Sequence, residues 1–199
     1  MNKIELEILG LSSSQSQSGS FALVLGERNG NKRLPIIIGM FEAQAIAVEL
    51  EKMKPSRPMT HDLFKNFMGK FGIKIVEIRI DDLKEGIYFA KIVGTDTVQT
   101  YEFDSRPSDA VALAVRFGVP IYTNDKVMDE SGIAPSEFEV DDTDIDQELD
   151  DVMSDVEDLV EEGIIEVTLE DLQILLEKAL ADENYEEAAR LRDEIKKKI

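Results

Sequence analysis

From residue 127 to residue 177 the chain carries 20 acidic residues and no lysine or arginine, a run that divides what can fold as one unit from what cannot. The first 126 residues hold 16 acidic and 16 basic residues, and residues 178–199 hold 6 of each, so the formal net charge of −20 belongs to the run alone. A global charge of that size would argue against a nucleic-acid ligand, but a neutral N-terminal part leaves that class open. The apolar fraction of 43% is enough for a packed core there. The absence of cysteine excludes a disulfide framework, a thiolate nucleophile and Cys-ligated zinc, and fits a cytoplasmic protein. No signal-peptide pattern is visible, and the uncharged stretch 8–26 is broken by "SSSQSQSGS", so no membrane span is expected.

Within the first 125 residues, short apolar runs alternate with helical patterns. "IELEILGL" (residues 4–11) alternates apolar and polar, and "FALVL" (21–25) and "LPIII" (34–38) are compact β-rich runs. Asn29-Gly30 between the last two predicts a hairpin, because that pair tolerates positive φ. "FEAQAIAVELEKM" (41–53) predicts a helix stopped before Pro55, and a second helix follows Thr60. "IKIVEIRI", "IYFAKIV" and "VQTYEF" predict three more strands; a third helix spans about 109–116, closed by Gly118, before a last strand, "VPIYT". This order predicts an α+β fold with a mostly antiparallel sheet and three main helices.

The acidic run predicts a helix in its turn: Ile145, Leu149, Val152, Val156 and Leu159 recur at steps of four and three. An EF-hand is excluded, since after Asp142, Asp144 and Asp146 the turn glycine is replaced by Gln147. The final segment predicts a helical hairpin. Thr168 and Asp171 cap its first helix, with Leu169, Leu172, Leu176 and Ala179 in one stripe; the second runs from about Tyr185 with Ala188, Ala189, Leu191 and Ile195. A hairpin of about 30 residues buries little by itself and should seek a partner surface, either on another protein or on its own domain. The expected units are therefore 1–133, an acidic linker with an amphipathic helix at 134–167, and the hairpin at 168–199.

Two stretches echo each other, "SRPMTHDLF" at 56–64 and "SRPSDAVALAV" at 105–115. Each sets an arginine before a proline and an acidic residue in the following turn, which is a strand-to-helix lead-in. A third helix start, after "IIIGMFEA", places Glu42 in a first turn. The candidate site thus gathers at three helix N-termini: Glu42; Arg57, His61 and Asp62; Arg106 and Asp109. Helix N-termini favour phosphate, and their field should lower the pKa of His61, the only histidine, leaving an imidazole able to accept a proton. Asp62 cannot orient His61 merely by following it, since neighbours on a helix point about 100° apart. Two readings stand side by side: a structural network of caps and ion pairs, or a phosphate clamp.

"PIIIGMFEAQAIAVEL", "RPMTHDLF" and "SRPSDAVALAVRFGVPIYT", in this order and spacing, resemble the bifunctional nuclease family over about residues 1–133. "YEEAARLRDEIKKK" resembles the UVR motif through which excision-repair nuclease subunits B and C associate, over about 168–199. The first resemblance implies a homo-oligomeric α+β domain that degrades RNA and DNA at a cleft holding Glu42, Arg57, His61, Asp62, Arg106 and Asp109. If both polymers are cut, the ribose 2′-OH cannot be the nucleophile and water must attack, which favours assistance by Mg²⁺ or Mn²⁺. Glu42, Asp62 and Asp109 would then be oxygen ligands, His61 the proton acceptor, and Arg57 and Arg106 the phosphate ligands. The second resemblance implies a protein partner for 168–199. The competing function is a non-catalytic dimeric adaptor that brings the hairpin to a repair or proteolytic complex. A further expectation is that the acidic segment lies over a basic cleft as a nucleic-acid mimic; a solubilising spacer is the alternative.

Overall fold

The computed structural model of the chain describes residues 2–13, 20–53, 55, 57–134, 172, 173, 176, 179, 180 and 185–198. Seven strands and four helices form the main body. They are β1 (Lys3–Ser13), β2 (Ser20–Glu27), β3 (Arg33–Gly39), α1 (Met40–Leu50), α2 (Thr60–Lys70), β4 (Lys74–Lys84), β5 (Ile87–Thr95), β6 (Thr100–Ser105), α3 (Pro107–Phe117), β7 (Ile121–Asn124) and α4 (Asp125–Ser131). Helix α5 (Tyr185–Lys198) lies in the C-terminal region. The strands make one sheet in the order β3-β2-β1-β7-β4-β5-β6, antiparallel throughout except where β7 lies parallel to β4. The architecture is α+β, as the alternation of runs predicted.

Alternation alone would not bury the right residues. In β1, Ile4, Leu6 and Ile8 share a face with Leu11 because a register shift between Ile8 and Gly10 restores the parity. In β4 a shift between Ile75 and Glu77 does the same for Ile75, Ile78 and Ile80. The β2–β3 hairpin opposes Phe21 to Ile38, Leu23 to Ile36 and Leu25 to Leu34, all of them buried. Over this face lie α1 and α3. Helix α3 is buried on nearly every side, from Pro107 and Ser108 through Ala110–Ala114 to Arg116, and ends at Gly118 with φ 64°, a left-handed cap.

Helix α1 stops at Leu50 rather than Met53, because Lys52 takes a positive φ of 56° and turns the chain. Helix α4 lies where the sequence reading placed the start of the acidic run. Asn124 caps it by accepting from the Val127 N–H, and also donates to the Asp81 carbonyl. In the C-terminal region, residues 172, 173, 176, 179 and 180 are helical and α5 begins at Tyr185, as the hairpin reading places it. The predicted acidic helix with its stripe from Ile145 to Leu159, its suggested position over a cleft, and the Thr168–Asp171 cap lie outside the described residues. Among the described residues no helix is long and apolar enough to cross a membrane.

Candidate functional site

The three helix starts meet. Proline at the first position of α3 fixes Arg106 as its N-cap, and Asp109 falls in the first turn. Arg106 grips Asp109 with both edges of its fork, Nε donating to Oδ2 (2.7 Å) and Nη2 to Oδ1 (3.0 Å). Its Nη1 donates to Glu42 Oε1 (2.8 Å) in the first turn of α1. One guanidinium therefore ties α3 to α1. Glu42 reaches this position by folding back over Gly39, where its carboxylate occupies the space that a Cβ would need. Glycine is required here for close approach and not for conformation, since φ is −76°.

The first turn of α2 completes the cluster. His61 Nε2 stands 3.6 Å from Asp109 Oδ1, longer than a hydrogen bond, and its side chain is 16% exposed. Burial holds the His61 pKa below its ordinary value, and the nearby Arg116 charge lowers it further, against the opposing pull of Asp109. The first cause of this lowering is burial rather than the helix field. The imidazole is therefore neutral near pH 7. Asp62 turns elsewhere: Oδ2 accepts from the Met59 N–H (2.9 Å) and Oδ1 from Arg116 Nε (2.7 Å).

Arg116 is a member of this cluster that the sequence reading missed. It lies in the last turn of α3 with a side chain only 1% exposed. Its Nη1 donates to the carbonyls of Ala45 (2.8 Å) and Ala112 (3.0 Å), so it fastens α1, α2 and α3 together behind the site. The signal was present: a lone arginine in a helix apolar on all other sides must find partners inside. Arg57, placed in the site by its motif, is exposed. Among the described residues it forms no hydrogen bond or ion pair with the rest of the cluster.

The carboxylates expected to hold Mg²⁺ or Mn²⁺ are committed to arginines, Glu42 and Asp109 to Arg106 and Asp62 to Arg116. Among the described residues no group of three histidine, aspartate or glutamate side chains is placed to hold a metal ion. The donor set in this arrangement does not fit the ion. What the cluster does offer is a neutral proton acceptor, His61, beside an exposed and fully charged guanidinium, Arg106.

Comparison with known proteins places the cluster in context. The profile of the bifunctional nuclease domain matches residues 23–136, and that of the UvrB/uvrC motif matches residues 166–198. An uncharacterized protein of Mycobacterium tuberculosis is 40% identical over 129 residues, 65% of this chain and 76% of that protein. Bifunctional nuclease 2 of Arabidopsis thaliana is 32% identical over 108 residues, 52% of this chain and 32% of that one. Bifunctional nuclease 2 of Oryza sativa subsp. japonica is 29% identical over 116 residues, 56% and 36% respectively. The chain thus spans about a third of the length of these plant nucleases.

Proposed function

The chain belongs to the bifunctional nuclease domain family, and from that premise we infer that it hydrolyses phosphodiester bonds in RNA, DNA or both. The observation that carries this reading is the neutral His61 set 3.6 Å from an aspartate clamped by Arg106 at the meeting of three helix starts. His61 takes a proton from the attacking water as its oxygen bonds to phosphorus. The P–O bond to the leaving nucleoside breaks, and the leaving oxygen takes up a proton from solvent, to which His61 later returns its own. Arg106, with a side chain 64% exposed, pairs with the phosphate, and Arg57 supplies a second charge from the α2 lead-in. Asp109, 3.6 Å away, favours by its charge the imidazolium that forms. No step here runs through a metal ion. The reading includes self-association, which sedimentation of the full chain measures, and a protein partner for the hairpin.

Cleavage of labelled single-stranded RNA and DNA tests it, with Mg²⁺, Mn²⁺ and a chelator in parallel arms. Wild type cuts, and His61→Ala loses on the order of 10²- to 10⁴-fold, the usual contribution of a positioned acid–base group. If wild type cuts neither polymer in any arm, the nuclease reading fails and the adaptor reading stands. One observation favours the adaptor: all three carboxylates are paired with arginines, as in a purely structural network.

A further inference from the structure

A second apolar cluster lies apart from the main core, and the C-terminal hairpin builds two thirds of it. Leu172, Ala179, Ala188 and Leu191 form one buried cluster with Val48 of α1 and Met53 just beyond it, and Met59, Leu176 and Ile195 pack on that cluster. From the hairpin come residues at steps of four and three, 172, 176 and 179, then three and four, 188, 191 and 195, so one stripe of each helix faces the domain. Leu180, off the stripe, is 50% exposed. The surface that the stripe covers belongs to the connector that delivers α2. The Met53 N–H donates to the Val48 carbonyl (2.9 Å), and Met59 is the N-cap of α2. The Met59 N–H donates to Asp62, its carbonyl accepts from the Leu63 N–H (2.8 Å), and Asp62 is held in turn by Arg116. Side chains of the hairpin therefore share one apolar cluster with a residue two positions from His61.

We propose that the hairpin is a latch: its apolar stripe, seated on Val48, Met53 and Met59, is withheld from other proteins and fixes the connector that positions His61 and Asp62. A protein offering an apolar surface to the same stripe has to lift the hairpin, and lifting it loosens the start of α2. Docking and capture by that stripe are mutually exclusive, because a side chain buried to within a few per cent has no second face to give. The latch goes beyond the nuclease reading and stands whether or not the site cleaves nucleic acid.

Hydrogen exchange and the His61 imidazole signal, in full-length protein, test this without reference to activity. The chain has one histidine, so its ring resonances are unique. Leu191→Asp sets a carboxylate into the cluster, Ala179→Glu does so from the other helix, and Leu180→Asp changes an exposed position off the stripe. The expected result is that each of the first two raises exchange of the α5 amides and of the Met53, Met59 and Leu63 amides by about tenfold or more. Both also move the His61 signal, while Leu180→Asp matches wild type. The latch is overturned if α5 loses protection while the connector amides and His61 stay as in wild type, which makes the hairpin a bystander. It is equally overturned if neither segment responds, since the stripe is then not seated there.

Discussion

Arg116 Nε donates to Asp62 Oδ1 across 2.7 Å, joining the last turn of α3 to the first turn of α2. The same guanidinium holds carbonyls of α1 and α3, so one buried charge aligns the three helices whose first turns carry the site. Replacing it by Leu strips Asp62 of its cation and removes the side-chain donor from two helix carbonyls. The expected loss is roughly 3 kcal/mol, the lower range for breaking a buried pair, because Asp62 retains some exposure. Arg116→Lys restores the charge but cannot serve Asp62 and both carbonyls at once, so it falls between. Urea unfolding midpoints measure both. Wild-type stability in Arg116→Leu would remove the alignment role.

The lowered pKa of His61 makes stability depend on pH in a definite sense. Its ordinary pKa is 6.5, and burial together with Arg116 depresses the folded value. Below 6.5 the unfolded chain therefore binds the proton more readily than the folded one, so acid favours unfolding. The His61 contribution is complete above about 6.5 and is lost as pH falls toward the folded pKa. Unfolding midpoints between about pH 5 and 8 should fall on the acid side in wild type, and His61→Asn should flatten that decline. Equal slopes in the two proteins would mean that His61 titrates normally.

Much of this was legible in local residue patterns. Asn29-Gly30 marked a hairpin, Gly118 a helix stop, and three helix starts were read as one site. Local signals do not report parity changes, however. The shifts that bring Leu11 and Ile78 onto the buried face appear only once the neighbouring strands are in register. The insertion of β7 between β1 and β4 is a long-range pairing with no local signature. Arg116 was hidden because its partners come from three helices, two of them far away in sequence. The hairpin showed its stripe clearly but not its receptor, because Val48, Met53 and Met59 are dispersed in sequence and two of them lie outside any regular element.

Gly39→Ala separates geometry from stability. The backbone at residue 39 is extended, so alanine fits and restricts the unfolded chain, which stabilises by about 0.4–1 kcal/mol at a compatible site. The new Cβ displaces the Glu42 carboxylate, the end of a flexible side chain, and so Arg106 loses its link to α1. The expected pattern is an unchanged or slightly raised unfolding midpoint with reduced cleavage. Reduced stability with intact cleavage would show that the fold of Glu42 over Gly39 is incidental.

Arg57 and Arg106 should separate in the same way, by what each does when no phosphate is near. Arg57 is exposed and holds no partner in the cluster, so Arg57→Gln leaves the urea midpoint where it is. Arg106 joins Glu42 and Asp109, and its removal sets two carboxylates side by side without a cation. The guanidinium is 64% exposed, so the stability loss stays within about 1 kcal/mol. On nucleic acid the two substitutions should converge. Under the proposed function each removes one phosphate contact, and the slope of log affinity against log salt should shrink by roughly 0.7–0.9 in each variant, and by the sum in the double variant. Single-stranded DNA titrated at several salt concentrations reads this directly. A slope that stays at the wild-type value in the double variant would place the phosphate path elsewhere on the molecule.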